Sequence, residues 1–351
     1  MKMKKKHIRF PKRLNFNNGK IEMSHGSGGR AMSQLIEELF QDAFTNSYLR
    51  KNNDQAVLPV DKGKIAFTTD SFVINPLFFP GGNIGSLAVH GTINDLSMSG
   101  AEPLYLSAGF ILEEGFPFSD LKKIIDSMAK TAENAGVKIV TGDTKVVHRG
   151  QADGLYINTT GIGVIPNNIN ISAERALPGD AILISGPIGD HGIAVMAERE
   201  GLSYSTSLVS DAASLNGLVK SMVEAVEDIH VMRDLTRGGL AAAMNEISTT
   251  AGVGMLIEES AIPVRPEVLA ACEIFGYDPL NVANEGKLMA ICPSETSEIL
   301  LEAMTNHPLG VQSSIIGKVI EDEHSFVEMK TQLGGRRLVD WISGVQLPRI
   351  C

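Results

Sequence analysis

Two periods of apolar residues alternate along the chain. In RAMSQLIEELFQDAF, Leu35, Ile36, Leu39, Phe40 and Ala43 recur at helical spacing and define one face. KIAFTTDSFVI reads as a buried strand that ends in a polar Asp-Ser pair, IGSLAVHGTINDLSMSG as a helix up to Gly100, and PLYLSAGFIL as a strand. FSDLKKIIDSMAKTAENAGV predicts a helix with Ser119 as N-cap and Gly136 as its stop, and KIVTGDTKVV and LYINTTGIGVI add two strands. The polar, proline-containing PNNINISAERALPGD predicts a joint between domains. Beyond it come a strand (AILISGPIG), a helix (DHGIAVMAE) and the segment MRDLTRGGLAAAMNEISTTAG, whose helix has Thr236 or Asp234 as cap. Strands GMLIEES, GKLMAICP and SSIIGKVI alternate with helices PEVLAACEIFG and SETSEILLEAMTNH. After Trp341, ISGVQLPRIC has no helical period, and Pro348 forbids extending a helix. Fully extended, the residues from Gly344 onward reach roughly 25–30 Å.

The pattern predicts an α/β chain of two domains with mixed sheets. They span residues 19–166 and 167–343, preceded by a basic arm (1–18) and followed by a flexible tail (344–351). Composition agrees: 351 residues exceed the usual single core, and 43% apolar with 21% charged residues is a folded profile. A net charge of −10 argues against a general nucleic-acid binder, which needs a basic surface. No apolar run approaches the roughly 18–20 residues of a membrane span, and MKMKKKHIRF lacks the apolar stretch of a signal peptide. The three cysteines, 272, 292 and 351, have no metal-ligand spacing and cannot all pair, which favours a reducing, cytoplasmic setting. Cys272 and Cys292 lie among apolar neighbours and read as core; Cys351 is the last residue.

Candidate chemistry gathers at element ends. HGSGG, with Gly26, Ser27, Gly28 and Gly29, precedes a helix and offers backbone N–H groups to an anion, though such turns also simply punctuate a chain. Asp70, Asp95, Asp143 and Asp234 each end or border an element. Singly each reads as a cap or turn residue; together they suit a hard cation that bridges carboxylates and phosphate oxygens. Lys145 shares side-chain parity with Asp143 and offers a point charge to phosphate, or is an ordinary solvated lysine. Glu285, in a polar turn before a strand, is either a loop acid or a general base. His191 either lines the site or is a satisfied core histidine.

The ordered set HGSGG, TTDSFVI, TINDLSMSGAEP, GDTKVV, GDHGIAVM, RDLTRGGLA, ANEGK and terminal PRIC closely resembles the HypE family, from about residue 20 to the last residue. These are carbamoyl dehydratases that make the cyanide ligands of [NiFe]-hydrogenase. They stand within the ATP-binding superfamily of aminoimidazole ribonucleotide synthetase and selenophosphate synthetase. The resemblance implies a homodimer binding ATP and Mg²⁺, a carbamoyltransferase partner (HypF) and a HypC–HypD iron complex as cyanide acceptor. By motif position it makes Cys351 the covalent carrier. Asp70, Asp95, Asp143, Thr144, Lys145 and the glycine-rich turn become the ATP site, with Asp234 a further metal ligand. The resemblance makes Lys145 the residue that positions or stabilises the activated oxygen and Glu285 the proton acceptor, a split the sequence alone leaves open. A selenophosphate synthetase is disfavoured because SHGSGGR carries no cysteine, and the retained acidic set argues against a non-catalytic nucleotide-binding scaffold.

Overall fold

The computed structural model describes residues 13–14, 29–35, 37–38, 53, 56–60, 63–201, 208–341 and 349–351. In chain order these form α1 (Arg30–Leu35), β1 (Ala56–Val60), β2 (Gly63–Phe72), β3 (Phe78–Phe79), β4 (Gly82–Asn83), α2 (Ile84–Ser97), β5 (Glu102–Glu113), α3 (Phe118–Asn134), β6 (Lys138–Val147) and β7 (Leu155–Ile165). There follow β8 (Ala181–Ile184), α4 (Asp190–Arg199), α5 (Asn216–Ala225), β9 (Val231–Asp234), α6 (Gly239–Ala251), β10 (Gly254–Glu258), α7 (Pro266–Phe275), β11 (Leu288–Cys292), α8 (Ser297–Thr305), β12 (Ser314–Ile320), β13 (Val327–Lys330) and β14 (Arg336–Leu338).

The first sheet has the order β1-β2-β7-β5-β6, antiparallel except for the β5–β6 pair. One face is covered by α2 and α3: Leu87, Val89 and Ile93 of α2 and Ile124 and Met128 of α3 pack on Phe72, Leu106 and Ile157. The other face is partly exposed, because β7 alternates buried and outward residues as a half-covered strand should. α2 starts at a capping box: Asn83 Oδ1 accepts from the Gly85 and Ser86 N–H groups at 2.8 and 3.2 Å, and Ser86 Oγ accepts from the Asn83 N–H at 3.1 Å.

The second sheet has the order β14-β13-β10-β12-β8-β11-β9, with β10–β13 its parallel pair. Strands β8 and β11 are buried on both faces, which explains their continuous apolar runs AILI and LMAIC. Ile182 and Met289 face α6, while Leu183 and Ala290 face α5 and α8. That second layer also takes in Ala66, Leu96, Met98 and Ile165 from the first unit, so the two sheets share a core. Cys272 and Cys292 are buried, as their apolar surroundings predict.

Two expected caps differ. α3 begins at Phe118 with Pro117 at its N-cap and no side-chain cap bond, so Ser119 lies inside the first turn. α6 begins after Gly238, whose left-handed backbone (φ 81°) turns the chain into the helix without a side-chain cap. Neither Thr236 nor Asp234 therefore caps it: Thr236 contributes its carbonyl to the Gly239 N–H at 2.9 Å, and Asp234 is the buried last residue of β9.

Candidate functional site

The end of the chain returns to the first sheet. Past β2 the backbone continues through Val73–Asn75, and residues 349–351 lie antiparallel beside it. The Val73 N–H donates to the Cys351 carbonyl at 3.0 Å and the Asn75 N–H to the Arg349 carbonyl at 3.2 Å. Strand addition of this kind grips any sequence through its main chain; selectivity comes from what the side chains meet. Arg349 Nε donates to the Val73 carbonyl at 2.8 Å, and its guanidinium pairs with Asp153. Arg199 Nη2 donates to the Arg349 carbonyl at 3.0 Å and His191 Nε2 to the Ile350 carbonyl at 2.8 Å. These bonds hold Arg349 in a left-handed backbone (φ 52°), a conformation a non-glycine residue adopts at a cost. Ile350 and Cys351 are 2% and 6% exposed and join the cluster that covers the first sheet. His191 thus lines the site. Gly344 and Pro348 lie outside the described residues.

Around the thiol stands a buried set of charges. Burial pushes the Cys351 thiol up to about 12; Arg237 opposes the shift, and Glu285, Asp70 and Asp234 reinforce it. Arg237 is held protonated, first by Cys351 against the cost of its own burial, then by Asp70, Glu285 and Asp95. Glu285 lies well above the usual carboxylate range because it is fully buried and then because Asp234, Asp70 and Asp211 face it. Its Oε1 has no hydrogen-bond partner. Burial also raises Asp70, offset by Arg237 and by the Ser71 N–H at 2.7 Å. Asp95, on α2, accepts from Thr68 Oγ1 at 2.8 Å.

Glu285 is aimed by its main chain. Its N–H donates to Asp211 Oδ1 at 3.0 Å, and its carbonyl accepts from the Ala213 N–H at 3.3 Å and from Asn94 Nδ2 at 3.2 Å. The next residue must be glycine, because a Cβ on Gly286 would lie 1.9 Å from the Asp211 carbonyl oxygen. Asn284 completes the turn: its Oδ1 accepts from the Gly189 N–H at 2.7 Å and its Nδ2 donates to the Leu235 carbonyl at 2.9 Å.

Asp143 and Lys145 stand apart from this cluster. Both are exposed on β6, 2.6 Å from each other, and the Thr144 N–H donates to Asp143 Oδ1 at 2.8 Å. The lysine, first, and the Thr144 N–H hold the Asp143 carboxyl below its usual range. They line a cleft of about 440 Å³ with Ser71, Tyr156 and Asn158, and its wall includes Val73, which holds the Cys351 carbonyl. The cleft therefore abuts the docked tail.

Of the residues singled out in the sequence, Asp70, Asp95, Asp234, Glu285 and Cys351 meet around Arg237, whereas Asp143 and Lys145 share the cleft; Thr144, between them on β6, does not line it. Gly29 is buried at the start of α1, where Arg30 pairs with Asp340 at 3.0 Å. Gly26, Ser27 and Gly28 lie outside the described residues. Arg237, Asp211, Arg199 and Asp153 are absent from the sequence reading. Arg237 had a signal, its place in RDLTRGGL beside Asp234; the others become visible only through the chain they touch. Among the described residues, no group of three or more His, Cys, Asp or Glu side chains forms a metal-holding cluster by itself.

Comparison with known proteins follows the same division. Residues 52–165 match the N-terminal domain of AIR synthase related proteins and residues 178–330 the C-terminal domain. Carbamoyl dehydratase HypE of Azotobacter vinelandii is 59% identical over 339 residues, covering 97% of this chain and 99% of its own. The chain belongs to the HypE family. A crystal structure of a HypE–HypF complex superposes with a TM-score of 0.84 at 51% identity, over 88% of this chain and 99% of that one. A HypE crystal structure in complex with ATP gives 0.80 at 48% identity, over 95% and 100%. Among the described residues no helix is long and apolar enough to cross a membrane.

Proposed function

We propose that the protein is a cytoplasmic ATP-dependent carbamoyl dehydratase, which converts a carbamoyl group on the Cys351 sulfur into a thiocyanate and so supplies cyanide for the [NiFe]-hydrogenase iron. The single observation that carries the reading is the docked terminus: the Cys351 thiol is buried beside Glu285 and Arg237, next to a cleft with a cation at its rim. The domains are assigned to 19–166 and 167–343, a division supported by the gap between the first sheet, ending at Ile165, and the second, beginning at Ala181.

The loaded group is Cys351–S–C(=O)–NH₂. Its oxygen cannot leave as hydroxide, so it first attacks the γ-phosphorus of ATP; ADP departs and one N–H proton is lost. The second N–H proton passes to Glu285 Oε1, the C–O bond breaks, phosphate leaves and C≡N forms. Burial suits Glu285 to this, since a carboxylate whose proton affinity is raised is a stronger base once ionised. Arg237 balances the negative charge that gathers around the sulfur. ATP takes the cleft lined by Asp143 and Lys145, Lys145 facing the phosphates as a point charge; Thr144 and Gly26, Ser27, Gly28 and Gly29 are assigned to the nucleotide by motif position alone. Mg²⁺ is proposed as an ion shared with the substrate, since magnesium combines one or two carboxylates with substrate phosphate oxygens. Asp70, Asp95 and Asp234 would offer carboxylates to it from the buried set, and Asp143 from the cleft to a separate part of the phosphate chain; when bound, it neutralises charge on the transferring phosphoryl group. The partners are a HypF-type carbamoyltransferase, a HypC–HypD-type cyanide acceptor and a second copy of the chain.

Intact-protein mass tests the reading. With carbamoyl phosphate, ATP and the transferase, Cys351 gains a carbamoyl adduct, and Mg-ATP then removes the mass of one water. An adduct on another residue, or no loss of water, refutes it.

A further inference from the structure

One short segment touches both the docked tail and the base. The Ile350 carbonyl can only accept, so the 2.8 Å contact requires a proton on His191 Nε2. Burial keeps the ring neutral, which leaves Nδ1 bare, and the Ser210 hydroxyl 2.7 Å away must donate to it. Ser210 Oγ in turn accepts from the Ala212 N–H at 3.1 Å. The next residue, Asp211, accepts the Glu285 N–H, and Ala213 donates to the Glu285 carbonyl. Four consecutive residues thus join two sets of hydrogen bonds through their shared backbone, one reaching the tail carbonyl through His191 and the other holding the main chain of the base. They have little independent freedom: the Ser210 N–H donates to the Pro80 carbonyl at 2.8 Å, and the Gly286 backbone passes so close to the Asp211 carbonyl that no Cβ would fit between them. Ala212 and Ala283 pack in the same apolar cluster as Ile350 and Cys351.

We propose that His191 and Ser210 are positioning residues that couple docking of the tail to the placement of Glu285, so that the base is held in its reacting position only while the terminus is home. The coupling rests on the dehydratase reading for its purpose, but its test does not use that activity.

The experiment measures Cys351 alkylation by iodoacetamide, located by peptide mass, and hydrogen exchange over 209–216 and 282–288, in the full chain. His191→Phe keeps a ring against Phe79, 5.4 Å away, and removes both nitrogens. It is expected to raise Cys351 labelling and exchange at both segments together, each at least about tenfold. Ser210→Ala, which leaves Nδ1 without its donor, should move both segments in the same sense. His191→Gln restores an N–H donor toward the Ile350 carbonyl and should return labelling and exchange to within about twofold of the parent. Labelling that rises while 282–288 stays protected overturns the coupling, as does unchanged labelling in both His191→Phe and Ser210→Ala. If His191→Phe does not fold, the Ser210→Ala and His191→Gln pair decides alone. A chain that shows the coupled response yet loses no water with Mg-ATP refutes the dehydratase reading and leaves the coupling standing.

Discussion

Glu285 shows how one residue serves chemistry against the fold that holds it. It is 2% exposed, faces Asp234, Asp70 and Asp211, and has one oxygen unpartnered, so its ionised form is costly in the folded state. The folded chain therefore holds this proton to higher pH than the unfolded chain, whose glutamate titrates near 4.5. The stabilisation from this group is complete below that value and is lost as pH rises through the folded pKa. Glu285→Gln should consequently raise the melting temperature at neutral pH while slowing loss of water from the carbamoylated chain by about 10²-fold or more, carbamoylation being retained. A melting temperature that falls, or turnover that persists, refutes the assignment. In the parent protein, single-turnover dehydration should rise with pH along a limb displaced above 4.5. Cys351 gives a second residue-scale test. Burial pushes its docked thiol up to about 12 from an ordinary 9.0, so at pH 8 it is far less often thiolate than a free thiol, and alkylation should be at least about a hundredfold slower. The motifs carried most of this grouping: Asp70, Asp95, Asp234 and Glu285 stand out as acids at element ends, and Cys351 as a thiol on the last residue. Arg237 was not, since a cation just before a Gly-Gly turn reads equally well as a solvated arginine until the acids around it are placed.

At the scale of elements, the tail is the part whose behaviour departs furthest from its composition. PRIC reads as an irregular end, yet residues 349–351 act as a strand because Val73 and Asn75 have free N–H groups beyond the end of β2. Nothing in a local window announces this, because pairing depends on residues about 275 positions away. The Arg349–Asp153 pair is half exposed, and a pair of that kind is worth about 0.2–1 kcal/mol. Asp153→Ala should therefore raise Cys351 alkylation by no more than about fivefold. Arg349→Ala also loses the bond to the Val73 carbonyl and should raise it further. An Asp153→Ala effect as large as that of Arg349→Ala would make the ion pair, and not the main-chain pairing, the holder of the tail. The helix starts show the opposite lesson. Ser119 and Thr236 are good caps by residue type, but a proline and a left-handed glycine set those turns first. Helices and strands themselves were legible from periodicity, including β8 and β11 as continuous apolar runs between two layers.

For the whole molecule, the two-sheet plan was readable from the polar break at PNNINISAERALPGD, whereas the unpaired face of the first sheet was not, since an alternating strand does not say what covers its outer side. On that face Phe67, Tyr105, Ile162 and Val164 are 41%, 48%, 38% and 46% exposed. Phe67 and Tyr105 both pair with Ile162 across neighbouring strands, so they form one contiguous apolar patch. Ser71 and Asn158 share the parity of Phe67 and Ile162, so the same face runs on into the cleft lined by Asp143 and Lys145. A second copy seated on the apolar half would roof the polar half, joining dimerisation to ATP binding. Light scattering should then report a dimer, and Phe67→Glu with Ile162→Glu should give a monomer, since two charges placed in a desolvated interface cost several kcal/mol. That monomer should keep its fold, because both side chains point away from the core, and should bind ATP at least about tenfold more weakly. A double variant that stays dimeric places the interface elsewhere; a monomer with undiminished ATP affinity means that each cleft is complete within one chain.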